Sequence, residues 1–203
     1  MKIYSGGYDM SNIRIIEKTD DITYSQICDI LKSAHKKAID ESGIEISTNN
    51  ITPEELEEKI SSLNGVIFVA IVDGRAVATT SVTTRLINRW FAKGLVASTR
   101  FTATLPEYQR RGIARKLKEK AISYSIKKGY YAMMSTIAEN NIPSYNLQIS
   151  EGYTPVDFIK FTNINHCSIR LIKWLGERPY PICYCKLRYI CKKIYVKLRL
   201  HLE

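Results

Sequence analysis

The chain has 203 residues, 45% of them hydrophobic and 25% charged, with 30 Lys and Arg against 20 Asp and Glu for a formal net charge of +10. Such a balance fits one globular domain with a proper core and excludes fibrous, low-complexity and wholly disordered chains. No apolar run reaches the roughly eighteen residues of a membrane span, and Met1–Tyr8 lacks the apolar centre of a secretion signal, so a cytoplasmic protein is expected.

Ile13 to Glu17 alternates briefly and reads as a first strand. Asp20 or Asp21 then caps a helix running to about Ser42, with Ile27, Ile30, Leu31, Ala34 and Ala38 on one face. Thr52-Pro53-Glu54-Glu55 is a helix start: a capping hydroxyl, Pro at the first helical position and acids in the first turn. Val66 to Val72 reads as a buried strand, turned at Asp73-Gly74 into a second strand from Ala76 to about Arg85. Leu86 to Gly94 is expected as a hairpin loop, where Trp90 and Phe91 line a pocket or cap the core. Leu95 to Thr104 follows as the central strand. A helix from about Gly112 to Lys128 stops at Gly129, and Tyr131 to Ala138 is the next strand. Pro143 to about Ser150 makes a short helix closed by Gly152, and Val156 to Phe161 a last strand. The fold class expected is α+β: a mixed, mostly antiparallel central sheet with helices on both faces.

Two stretches carry chemistry. In 102–115 a strand runs through a Pro-marked break and a one-glycine loop into a helix start. Such a junction gathers N–H groups without intrahelical partners and the positive end of the helix dipole, a setting that holds phosphate. Gly112 and Ala114 add no bulk, while Arg110, Arg111 and Arg115 add positive potential. On its own the stretch is equally an ordinary strand-to-helix turn with solvated arginines. A second pattern follows downstream: Asn141, Ser144, Leu147, Gly152 and Tyr153, at the spacing Asn-x-x-Ser-x-x-Leu-x-x-x-x-Gly-Tyr.

The first stretch resembles the Gln/Arg-x-x-Gly-x-Gly/Ala signature of the GNAT superfamily of N-acetyltransferases, and the second is similar to the same superfamily's Asn-x-x-Ala/Ser-x-x-Leu to Gly-Phe/Tyr helix. The resemblance runs from about Gly65 to Phe161. It implies acyl transfer from acetyl-CoA to an amine. By the same resemblance the main chain of Thr102, Ala103 and Thr104 takes the pantetheine arm. Gln109, Arg110, Arg111, Gly112, Ile113, Ala114 and Arg115 form the pyrophosphate loop, and Asn141 and Ser144 meet the cofactor from the short helix. Each role has a plainer alternative: threonines alternate in strands for β propensity alone, and Asn141 fits a helix cap.

Catalysis departs from the resembled pattern. Many members place a proton-donating Tyr seven positions after the motif Asn, and here that position is Gln148, which donates hydrogen bonds but no proton at useful pH. Tyr145 is the nearest phenol and a candidate acid, and Glu139 is a candidate general base by residue type. Asp40, Glu41 and His35 are further bases by residue type, and each of these side chains is equally a surface or core residue.

The C-terminal stretch differs in character. Residues 168–203 hold nine basic and two acidic side chains, so seven of the ten net positive charges lie there. The expected division is an acetyltransferase domain over 1–166 and a basic, aromatic extension over 167–203. Cys183, Leu187, Ile190, Ile194 and Leu198 follow helical spacing, joined by Tyr184, Cys191, Tyr195 and Leu202. Arg188, Lys192 and Arg199 lie along one border of that stripe, Lys186, Lys193 and Lys197 along the other. Peripheral membrane contact at the inner face of the membrane and docking on protein, including a homo-oligomer, fit this pattern equally; nucleic acid ranks third. Trp174, Pro179, Tyr180 and Tyr184-Cys185-Lys186-Leu187-Arg188 resemble the ending of some acetyltransferases of bacterial surface polysaccharide pathways. That likeness implies an amino sugar as the small-molecule amine acceptor, with a protein amine, or a non-catalytic acyl-CoA-binding role, as alternatives. The five cysteines, Cys28, Cys167, Cys183, Cys185 and Cys191, form no Cys-x-x-Cys pair even with His166 and His201 nearby, so neither a disulfide framework nor a metal site is expected.

Overall fold

A computed structural model describes residues 12–42, 50–161 and 166–200, with the backbone alone described at 37, 38, 41 and 42. In chain order the elements are β1 (Arg14–Glu17), α1 (Tyr24–Ser42), α2 (Pro53–Ser61), β2 (Val66–Val72), β3 (Arg75–Arg89) and β4 (Ala92–Thr104). They continue with α3 (Ile113–Lys127), β5 (Ala132–Ala138), α4 (Ile142–Ser150), β6 (Thr154–Lys160), β7 (Cys167–Trp174) and α5 (Ile182–Leu200). Seven strands form one sheet in the order β1-β2-β3-β4-β5-β7-β6. Among the described residues every neighbouring pair is antiparallel except β4 with β5. The expected α+β class, with helices on both faces of a mostly antiparallel sheet, is the fold observed.

Local chemistry explains the element ends. Thr52 and Glu55 form a reciprocal capping box at α2, with Pro53 in its first turn. At α1 the cap is Thr23 in place of Asp20 or Asp21: the Gln26 N–H donates to Thr23 Oγ1 at 3.2 Å, and the Thr23 N–H to Gln26 Oε1 at 2.8 Å. A two-residue turn at Asp73 (φ 49°) and Gly74 (φ 79°) joins β2 to β3, the left-handed pair that matches strand twist.

Two expectations are corrected. The loop expected over 86–94 is mostly ladder: Leu86 pairs with Leu95 and Arg89 with Ala92, leaving only Trp90 and Phe91 to turn the chain. Phe91, 1% exposed, caps a second apolar cluster with Val96, Met134, Ile172, Trp174 and Cys185, and that burial holds the hairpin together. Likewise 156–161 is not the last strand. Residues 167–174 enter the sheet between β5 and β6, pairing Met134 with Ile172 on one side and Ile172 with Thr154 on the other. The division expected between 166 and 167 thus falls at the start of a strand that lies inside the sheet.

The main core joins Leu31 of α1, Leu56 of α2, Phe68 of β2, Leu117 of α3 and Phe158 of β6. On α3 the buried face is Ile113, Leu117, Lys118, Ala121 and Ser125, while Ile126 is 56% exposed. The side chains of Ala38 and Glu41, together with His201 and Leu202, lie outside the described residues.

Candidate active site

The site is built where β4 leaves β5. The two strands share two pairs, Ala97 with Met133 and Ser98 with Met134, and then part. From Thr99 to Thr104, β4 keeps β3 on one edge and, among the described residues, has no ladder partner on the other. Strand amides left without a partner inside a sheet are a ready binding edge for another extended amide chain. A bulge strengthens the opening: Phe101 and Thr102 together oppose Thr80, and Phe101 takes a left-handed φ of 49°, uncommon for a bulky residue. Thr80 Oγ1 and Thr102 Oγ1 are 2.7 Å apart across it.

At the far end of that edge the chain turns through Pro106–Tyr108 into α3. Arg110 (φ 61°) and Gly112 (φ 74°) both adopt left-handed conformations. Gly112 caps α3 with no side-chain hydrogen bond, so the first amides of a 15-residue helix face the opening uncapped. Gln109 Nε2 donates to the Thr104 carbonyl at 3.1 Å, tying loop to strand. Arg111 donates to the Glu107 carbonyl and lies over the Tyr108 ring, and Arg115 pairs with Glu151 at 3.2 Å. Thr102 to Thr104, the loop from Gln109 to Ile113, and Ala114 and Arg115 thus form one continuous run along the opening. Asn141 takes the plainer role at least in part: its Oδ1 accepts the Ser144 N–H at 3.1 Å, capping α4.

Successive strand residues point to opposite faces, so the opening has two sides. On the first, buried polar groups from two helices reach the two strands: Lys118 of α3 donates to Thr99 Oγ1 at 3.2 Å, and Gln148 of α4 donates to Ser135 Oγ at 3.0 Å. Lys118 is 3% exposed and Gln148 6%, and Gln148 Oε1 has no hydrogen-bond partner. Burial pushes the Lys118 ammonium down to about 7, against a smaller opposing pull from Glu151, and its Nζ lies 4.9 Å from the centre of the Tyr153 ring. Burial likewise raises the Tyr153 phenol, with Glu151 adding to the effect.

On the second side a depression is lined by Arg85, Asn88 and Arg89 of β3, Met134 of β5 and Arg170 of β7. Arg170 is 8% exposed, pairs with Asp157 at 2.9 Å and leaves its Nε unpartnered. Its guanidinium is lowered by burial, opposed by Asp157 and aided by the nearby Arg85 and Arg89 cations. Arg100, just past the point of parting, is lowered by burial and by Arg85. One carboxylate thus faces a cluster of guanidinium groups, an excess of positive charge.

The residues expected to move protons have partners of their own. Glu139 Oε1 accepts from Lys197 Nζ of α5 at 2.8 Å, and Tyr145 packs against the main core. Beside them Tyr189 of α5 has its phenol pushed up to about 12, mainly by burial. Asp40 is exposed, and burial pushes His35 down to about 4, which leaves that imidazole uncharged near neutrality. Trp90 lies within ring contact of Phe91, Tyr180 and Tyr184, capping the second cluster. Lys118 and the arginine cluster escaped the sequence reading. The available signal for Lys118 was its place beside Leu117 and seven residues, two helical turns, before a second polar position, Ser125, on an otherwise apolar face.

A split sheet beside an uncapped helix start offers an unpaired strand edge that leads into an anion-holding helix mouth. Comparison with known proteins makes this specific. The acetyltransferase (GNAT) family model matches residues 26–148. The chain belongs to that family and is an acetyl-CoA-dependent N-acetyltransferase. Among solved structures, a GNAT-family acetyltransferase from Staphylococcus aureus superposes with a TM-score of 0.62 at 17% identity, covering 81% of this chain and 99% of that one. The protein yncA of Salmonella typhimurium, solved with its cofactor acetyl-CoA, gives 0.61 at 17%, covering 84% and 98%. A ribosomal-protein-alanine N-acetyltransferase from Brucella melitensis gives 0.61 at 15%, covering 80% and 99%. At such identities these likenesses speak for the fold. A search of curated proteins returns no match.

Proposed function

We propose that the acceptor is the primary amine of a small molecule that also carries a phosphate or carboxylate, an amino sugar of surface polysaccharide synthesis above all. One observation supports this reading most: the depression holding Arg85, Arg89 and Arg170 adjoins Met134, where β4 and β5 part and where an amine would meet the acyl group. Guanidinium groups match phosphate and carboxylate geometry, and a neutral amine would leave this charge uncompensated. The likeness of the C-terminal stretch to polysaccharide-pathway acetyltransferases points the same way. All five cysteines are free thiols, as suits a reducing cytoplasm.

In this reading the unpaired edge of Thr102, Ala103 and Thr104 receives the pantetheine amides. The Gly112, Ile113 and Ala114 amides hold the diphosphate at the positive end of α3, with Arg110, Arg111 and Arg115 beside them. The orphaned Gln148 Oε1 and the bulged Phe101-Thr102 backbone are polar groups at the opening that fit an amide-bearing arm. Bound acetyl-CoA supplies an acetyl group on a thioester whose thiol ionises in the ordinary thiol range, so turnover does not demand a phenol at position 148. Gln148 and Lys118 orient by hydrogen bonding, and the ion pair with Lys197 occupies one oxygen of Glu139. Tyr145 is the phenol offered for any proton donation.

Thiol release measured against paired amines, each neutral acceptor beside its phosphorylated counterpart, tests the proposal. The phosphorylated amines are expected to react with at least tenfold higher kcat/KM. The double variant Arg85→Ala, Arg89→Ala is expected to erase that preference through KM, with kcat held within a factor of about two. Equal use of both classes defeats the acceptor reading, and firm acetyl-CoA binding with no turnover on any amine favours the non-catalytic alternative that Gln148 raises.

A further inference from the structure

The helix α5 docks on the sheet by one side and turns a fully apolar side away from it. Cys185 and Tyr189, 0% and 9% exposed, face inward with the half-buried Val196, and Tyr189 meets Phe158 of β6 edge-on. Leu187, Ile190, Ile194 and Leu198 stand 60, 50, 54 and 60% exposed. At 3.6 residues per turn these four and the intervening Cys191, Tyr184 and Tyr195 sweep an arc of about 140°, centred opposite the docked side. Packing on this chain's own domain, one of the uses open to the stripe, is thereby answered: the helix does dock, but by the other side.

Charge selects the occupant of the exposed side. Lys186, Lys193 and Lys197 border the arc on one flank, and Arg188, Lys192 and Arg199 on the other, while the 19 residues of α5 include no Asp or Glu. Several of these cations have internal contacts, Lys197 with Glu139 and Arg188 with Tyr184 and Trp90, which fix them at the borders of the arc. A second copy laid on the same face would bring two such sets of cations to one seam with no carboxylate between them, an arrangement that like charge disfavours. A nucleic acid would satisfy the cations and leave four aliphatic side chains against water or phosphate. An anionic phospholipid surface satisfies both at once: headgroups meet the flanks and the acyl boundary takes the arc. Among the described residues no helix is long and apolar enough to cross a membrane, and the six cations of α5 suit it to lying along a surface.

We infer that α5 is a membrane-surface helix, which seats the enzyme on anionic phospholipid bilayers by the Leu187–Leu198 face while the sheet side holds it to the catalytic domain. Phosphatidylserine or phosphatidylglycerol headgroups supply the same chemistry, and the inference stands apart from the choice of acceptor amine.

Co-sedimentation of the full chain with vesicles tests it, using phosphatidylcholine alone against phosphatidylcholine containing about one-third phosphatidylglycerol. At least tenfold tighter partitioning to the anionic vesicles is expected, weakened again by high salt. The variant Leu187→Glu, Ile194→Glu changes only exposed positions; it is expected to lose that partitioning tenfold or more while calorimetry shows unchanged acetyl-CoA binding. The inference is overturned if the full chain stays in solution with anionic vesicles or if the variant sediments as well as the parent. It is also overturned if sedimentation equilibrium shows a dimer that the variant abolishes while lipid binding is absent.

Discussion

Gly112 and Lys118, six positions apart, show what single residues contribute on either end of the cleft. Gly112 holds φ 74°, where a β-branched side chain costs about 1–2 kcal/mol and stands beside the first amides of α3, the proposed diphosphate contacts. Gly112→Val is expected to weaken acetyl-CoA binding by more than tenfold in calorimetry, with the circular dichroism of the sheet retained. Undiminished binding would remove the loop from the site. Lys118 carries an amine held near 7 when folded against an ordinary 10.5. Between those values the unfolded chain keeps a proton that the folded chain lacks, so the amine's contribution to stability rises with pH across that window. Below about 7 its burial cost is present in full, and above 10.5 it vanishes. Replacing it by Met is expected to stabilise the protein at neutral pH by on the order of 1–3 kcal/mol, a gain that shrinks as pH approaches 10. Urea unfolding of both proteins over a pH series checks this; a constant difference would show that the amine is not the cause.

At the scale of elements, local signals set most of what was readable. The Thr52 box, the Asp73-Gly74 turn, the glycines after α3 and α4, and the continuous apolar run of β2 each mark an end or a core strand by chemistry within a few residues. What failed was everything fixed by a distant partner. The hairpin of β3 and β4 is longer than its composition suggests because Phe91 and Val96 bury against β5, β7 and α5. β7 reads as part of a basic tail because its Arg170 and Lys173 are charged, yet Arg170 finds Asp157 across the sheet. Since β7 lies between β5 and β6, a chain ending at residue 166 is expected to lose cooperative unfolding, because β6 is left without a neighbour. Calorimetric melting checks it, and a sharp transition from the shortened chain would show that β7 is dispensable.

Over the whole molecule the functions separate by direction. The unpaired edge of β4 and the proposed pyrophosphate loop run into α3, the arginine cluster sits on one side of the opening, and the apolar face of α5 turns away from the sheet. By itself the sequence determined the acetyltransferase family, the strand-to-helix turn at Gly112 and the order of most elements, because glycine conformation, helix starts and apolar periodicity act over a few residues. It also determined that an amphipathic, basic helix exists. Only the tertiary structure decided which side of that helix is spent on the domain, that β7 is internal, and that Lys118, Gln148 and the arginines gather where β4 and β5 part. Those outcomes depend on contacts between residues far apart in the chain, 58 positions for Glu139 with Lys197 and 19 for Lys118 with Thr99, and at Lys118 burial lowers the ammonium.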